Sequence, residues 1–115
     1  MAQAYRIKSV VVLARGLATL VREFTFAAGE AIPWHRHSAV EDHGYLLAGA
    51  LTLETRDPSM QTELAAGDSC VVPAGVVHRL ANRGEADARL VLVQHGGAYD
   101  FLAEAETTES VEPRG

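Results

Sequence analysis

Apolar positions along this chain come in short runs or alternate with polar ones, and turn-forming residues separate the groups. Val10-Val11-Val12-Leu13 is a β-branched run broken by Arg15-Gly16. Leu20, Phe24 and Phe26 then alternate with Val21, Glu23 and Thr25 as far as Ala28-Gly29, the period of a half-buried strand. Leu51 and Leu53 alternate with Thr52 and Glu54, and Asp57-Pro58-Ser59 supplies a turn. Ser69 to Val72 stops at Pro73, His78 to Asn82 stops before Gly84, and Leu90 to Val93 is a continuous apolar run of strand length. No segment keeps a 3.6-residue period over three turns. The pattern predicts an all-β domain of about eight short strands, spaced as in a sandwich or small barrel.

Composition narrows the field. At 115 residues, 48% of them hydrophobic, the chain has room for one core. Ten lysines and arginines against 15 acids give a net charge of -5, which excludes the basic footprint of a nucleic-acid binder. Much of that acidity sits at the end, where Glu104, Glu106, Glu109 and Glu112 face only Arg114. We therefore expect a barrel domain over residues 1–102 and an acidic, disordered tail over 103–115. Cys70 is the only cysteine, so an intramolecular disulfide and a Cys-rich zinc site are excluded. No apolar run reaches the ~18 residues of a membrane span, and Met1 to Arg6 does not open a secretory signal. A soluble cytoplasmic protein that binds neither membrane nor nucleic acid is the expectation.

The chemistry lies in the histidines. On a strand His35 and His37 project from one face, so both imidazoles can reach one point. Glu41, Asp42 and His43 follow, and His78 comes after Pro73 and Gly75. Imidazole and carboxylate donors suit Zn, Fe, Mn, Ni or Cu. Three histidines and a carboxylate fill four positions, and an ion that prefers six keeps two for water or substrate. A His-x-His pair alone also arises by chance on a solvated strand.

Two spaced patterns carry more than the pair. Gly29-x5-His35-x-His37-x4-Asp42-x6-Gly49 resembles the first cupin motif. Gly67-x5-Pro73-x-Gly75-x2-His78-x3-Asn82 resembles the second, and 17 residues separate the two. The resemblance is to small single-domain cupins of the RmlC-like superfamily. It implies a double-stranded β-helix, or jelly-roll, cupin barrel with one divalent transition metal (Fe, Mn, Ni or Zn) near its centre. It also implies that His35, His37 and His78 are metal ligands. The fourth ligand is usually Glu. Here family spacing to Tyr45 and Gly49 selects Asp42, with Glu41 facing outward as the parity alternative. With Asp42 inward, Gly44, Leu46 and Ala48 also face the barrel and leave space near the metal.

Gly67 and Gly75 are expected at chain reversals with positive φ, and Asn82 is expected to hold a turn. His43 reads as a surface histidine, Cys70 as a small buried hydrophobe, and Trp34 as cover for a sheet face or a dimer contact. After the last apolar strand, Gly96-Gly97 permits a bend that folds Tyr99 and Asp100 over the barrel mouth. An acidic residue in a similar element assists proton transfer in some small cupins. Tyr99 and Asp100 are therefore the candidate catalytic residues, beside a reading in which the segment is a cap plugged by Phe101. Gln94 or His95 reaches the cavity, depending on parity.

The resulting expectation is a metalloenzyme acting on a small organic molecule, as a dioxygenase or as an isomerase, lyase or hydrolase of sugar-like or carboxylate substrates. The alternative is a non-catalytic binding or sensor cupin, which buries its ligand fully where an enzyme needs a mouth lined by a proton-transfer group. By resemblance a homodimer is expected, and the Val10 to Leu13 edge would need covering.

Overall fold

The computed structural model describes residues 5–106. They form ten strands: β1 (Ser9–Arg15), β2 (Thr19–Phe26), β3 (Ala31–Arg36), β4 (Glu41–Ala48), β5 (Ala50–Thr55), β6 (Met60–Ala65), β7 (Ser69–Val72), β8 (His78–Ala81), β9 (Ala88–His95) and β10 (Leu102–Ala103). Among the described residues no helix is long and apolar enough to cross a membrane. The strands pair antiparallel in two five-stranded sheets, ordered β1-β2-β9-β4-β7 and β10-β3-β8-β5-β6. This is the expected double-sheet barrel.

Two strands were not legible in the pattern. β6 exposes all its residues but Leu64, so no apolar alternation marks it. β10 is two residues long and is held against β3 by pairing of Leu102 with Arg36 and Ala103 with His35. The expected tail therefore begins inside the fold, with Ala103 in β10 and Glu104 donating its backbone N–H to the Trp34 carbonyl. Residues 107–115 of that tail lie outside the described residues.

The register sorts side chains by barrel end. Along β4 the inward positions run Leu46, Gly44, Asp42, and opposite them on β9 stand Leu90, Leu92 and Gln94. On β2 the inward series is Phe26, Phe24, Arg22, with Phe24 facing Leu90 and Arg22 facing Leu92. In the other sheet Ile32 pairs with Leu80 and His35 with His78. One end of the barrel is therefore an apolar core built on Phe26, Leu46, Leu51, Leu80 and Leu90, and the other end is polar inside.

Local chemistry holds the reversals. Gly67 and Gly75 have φ of 95° and 85°, as expected of the reversals they make. Asn82 is buried, donates through Nδ2 to the Phe26 and Ala86 carbonyls and accepts from the Gly84 N–H, fixing the loop before β9.

Leu90 is fully buried and Val71 is 54% exposed on the outer side of the same sheet. Leu90→Ala is expected to lower unfolding stability by about 2–5 kcal/mol and Val71→Ala by less than about 0.5 kcal/mol, read from urea denaturation. Equal effects would contradict this assignment of the interior.

Candidate metal centre

His35 reaches the interior through an irregularity in β3. Ile32 pairs with Leu80 and His35 with His78, so three steps on β3 oppose two on β8. Pro33, which has no N–H to give the ladder, sits in this bulge. The bulge turns Trp34 to the other face, where it is buried beneath the Arg56 guanidinium, 4.0 Å from the ring centroid. It also frees the Pro33 carbonyl, which accepts a 2.7 Å hydrogen bond from His35 Nδ1. His37 does not share a strand with His35 as the spacing suggested: β3 ends at Arg36, and His37 enters the interior from the following loop.

The remaining imidazoles are held in the same way. His37 Nδ1 donates to the Asp100 carbonyl at 2.6 Å, and His78 Nδ1 donates to the Val76 carbonyl at 2.9 Å. A carbonyl only accepts, so each Nδ1 carries hydrogen and each Nε2 is left for the interior. Asp42 joins them from the opposite sheet, its Oδ2 lying 3.1 Å from His78 Nε2 and 3.4 Å from His37 Nε2. One donor atom from each of His35, His37, Asp42 and His78 lies within 4.8 Å of the others, and all four residues are buried. Spacings of 3.1–3.4 Å are those of two donors sharing one ion at bonds of about 2.1 Å. The shorter side chain of Asp reaches the histidines. Glu41 points outward, as the parity alternative required, and accepts a 2.8 Å hydrogen bond from His43. His95 also faces outward, 5.2 Å from His43 between ring centroids.

Electrostatics follow from burial and partners. Burial is the largest influence on His35 and, with the neighbouring His78, lowers its pKa to about 3. Burial also pulls His37 down, but the hydrogen bond and charge of Asp42, with help from Asp100, leave its pKa raised. Burial would raise the Asp42 pKa, yet hydrogen bonds and charge from His37 and His78 hold it well below the carboxylate range.

Gln94, rather than His95, faces inward. Its Nε2 donates to Asp42 Oδ1 at 3.0 Å, and its Oε1 accepts from Arg22 Nη2 at 2.6 Å. Arg22 is the residue that reading the sequence missed. Its only signal was a position in phase with Leu20 and Phe24 on an alternating strand. The space expected beside Gly44 does not exist, because a Cβ there would lie 3.0 Å from Cys70 Sγ and 3.3 Å from Leu90 Cδ1. Ala48 falls beyond a register shift in β4 and is only half-buried.

The segment after β9 closes over the cluster. Phe101 stacks on His35 at 4.4 Å, and Tyr5 stacks on Phe101. Asp100 meets the cluster through its backbone carbonyl. Its carboxylate instead accepts from Ser38 N–H at 2.9 Å and Ser38 Oγ at 2.5 Å, bonds that lower its pKa. Tyr99 stands 5.4 Å from the His37 ring. It borders two spaces: a cavity of about 20 Å³ against His35 and His37, and an outer groove of about 290 Å³.

With this geometry in view, comparison with known proteins places the chain. The cupin domain family model matches residues 22–94, and the chain belongs to that family. Protein SchB of Streptomyces halstedii is 36% identical over 63 residues, which are 55% of this chain and 44% of that protein. A conserved protein with a double-stranded β-helix domain from Klebsiella pneumoniae superposes with a TM-score of 0.72 at 26% identity, over 82% of each chain. Oxalate oxidase superposes with a TM-score of 0.69 at 22% identity, over 76% of this chain and 46% of its own. The chain thus covers less than half of SchB or of oxalate oxidase.

The raised pKa of His37 predicts the pH dependence of loading. A cation needs the bare Nε2, so uptake must displace the proton that His37 retains. Metal affinity is expected to fall as pH drops from about 8 to about 6, with proton release visible by calorimetry in buffers of different ionisation enthalpy. Affinity that stays flat across that range, with no proton released, would remove His37 from the ligand set.

Proposed function

We propose that this cupin holds one divalent transition metal on His35, His37, Asp42 and His78 and acts with it on a small organic molecule. The observation that carries the reading is the triple anchoring of Nδ1 to main-chain carbonyls, which leaves three Nε2 atoms converging on one carboxylate. Metal-binding histidines are held in this way, by a hydrogen bond from the other ring nitrogen. Fe, Mn, Ni and Zn all suit this donor set. When bound, the ion supplies a Lewis acid that polarises an oxygen of the substrate.

The chain's own residues supply the rest. Gln94 holds Asp42 Oδ1, so that Oδ2 faces the histidines. Phe101 and Tyr5 exclude water from the His35 side. Tyr99, 38% exposed where the outer groove meets the inner cavity, is the hydroxyl placed to exchange a proton with an incoming molecule. Asp100 acts by position: Ser38 fixes its carboxylate, and its carbonyl orients His37. A mouth lined by Tyr99 favours an enzyme over a sensor that seals its ligand inside.

Elemental analysis of protein purified without chelator is the test, with His35→Ala alongside. About one equivalent of metal is expected in the wild type and its loss in the variant. No metal in the wild type after reconstitution would overturn the reading. Iron would direct assays to oxygen consumption, and zinc, nickel or manganese to isomerase, lyase and hydrolase substrates.

The proposal includes a homodimer built on β1. Among the described residues this edge strand pairs only with β2, and Val10, Val11, Val12 and Leu13 are each 46–52% exposed. An apolar edge of this kind is a template for a second copy. Val11→Lys is expected to shift the sedimenting species from dimer to monomer. A wild type that sediments as a monomer would refute the arrangement.

A further inference from the structure

Arg22 is the one feature at the site that metal binding leaves unexplained. It lies on β2 in phase with the inward Phe24, and its guanidinium sits 5.1 Å from the Phe24 centroid and 4.7 Å from that of Tyr99. Its Nη2 donates to Gln94 Oε1, but its Nε is buried with no hydrogen-bond partner. Among the described residues no carboxylate lies within 4.0 Å of it to balance the charge. The Arg79 Nε also lacks a hydrogen bond, but Glu54 stands 3.7 Å away and balances it. An unbalanced cation with an orphaned buried donor implies an anionic partner that is not among the described residues.

Position says where that partner comes from. Arg22, His35, His37, Gln94, Tyr99 and Phe101 border the same cavity of about 20 Å³, room for little more than a water. Gln94 and Tyr99 also border the outer groove of about 290 Å³. Tyr99 follows Gly96-Gly97, and Gly96 has a φ of 116°, a conformation suited to glycine. Displacing Tyr99 would join the two spaces and uncover Arg22 beside the histidine cluster.

We propose that Arg22 is the anchor for a substrate carboxylate, and that the substrate class is a small organic acid carrying a second oxygen function toward the histidine cluster. Gln94 offers one oxygen to the guanidinium and leaves Nε unmet. A carboxylate brings two oxygens, matched to the paired donors of the fork. The proposal rests on the metalloenzyme reading only for the destination of the second oxygen. The charge argument for Arg22 stands without it.

Glycolate and ethylene glycol make a matched pair of probes, differing in whether one end is a carboxylate or an alcohol. Calorimetric titration of metal-free and Mn(II)-loaded protein is compared among wild type, Arg22→Met and Arg22→Lys, with circular dichroism as the folding control. Wild type is expected to bind glycolate and not ethylene glycol, Arg22→Met to bind glycolate roughly tenfold to hundredfold more weakly, and Arg22→Lys to fall between. A residue that merely positions Gln94 would change metal affinity without changing the preference for the acid. Three results overturn the proposal: unchanged glycolate affinity in Arg22→Met, equal binding of the two probes by wild type, or no glycolate binding in either form. Metal content of the same samples judges the metalloenzyme reading separately. Arg22-dependent glycolate binding by protein that takes up no metal would sink that reading and support this one.

Discussion

A carboxylate 4% exposed inside a barrel of leucines and phenylalanines is the constraint around which the polar end is built. An ionised Asp in such a place is costly unless every lone pair is met. Asp42 accepts from Gln94 at Oδ1 and faces the Nε2 atoms of His37 and His78 at Oδ2, which meet it by carrying a proton or by sharing a cation, and each partner is fixed in turn by groups outside the cluster. The Asp100 and Val76 carbonyls hold the two histidines, and Arg22 holds Gln94. The partners come from several parts of the chain, so the charge is accommodated only when both sheets are assembled. The polar end of the domain therefore depends on contacts between segments far apart in sequence.

That division explains which features the sequence revealed. The set His35, His37, Asp42 and His78 was readable through its resemblance to the two cupin motifs, which fix each residue's distance from a turn glycine. Gly29, Gly49, Gly67 and Gly75 all have positive φ, so they mark reversals whatever the tertiary context. The choice of Asp42 over Glu41 came from the family spacing to Tyr45 and Gly49, and the burial alternation along β4 agrees with it. Arg22 and Gln94 have no such landmark. They are separated by 72 residues in sequence and meet because β2 pairs with β9. Neither residue is unusual on its own strand.

Simple alternation failed where the backbone departs from a regular ladder. The spacing placed His35 and His37 on one strand face, but β3 ends at Arg36, before His37. Both imidazoles still converge, because the Pro33 and Asp100 carbonyls, rather than strand periodicity, set their directions. Counting inward residues likewise suggested room at Gly44. Composition cannot reveal that Cys70 and Leu90 have already taken that room, since both come from neighbouring strands. Small inward residues here serve close packing under the cluster rather than a substrate cavity.

Free space adjoins the cluster instead in the cavity bordered by Arg22, Gln94, Tyr99 and Phe101, and its chemistry is asymmetric. Phe101, stacked on His35, makes one wall apolar and closed. Arg22, Gln94 and Tyr99 make the other wall polar and adjacent to the outer groove. Asp42 is the only carboxylate in the buried cluster, and it is already engaged by His37, His78 and Gln94. A divalent ion there would leave the interior with net positive charge, to which the Arg22 guanidinium adds. Charges of one sign facing a low-dielectric space select an anion by desolvation as well as by attraction, because a neutral molecule of the same shape leaves the guanidinium buried and unpaired. The same unpaired donor that exposes Arg22 to view in the structure is thus what would make the site discriminate.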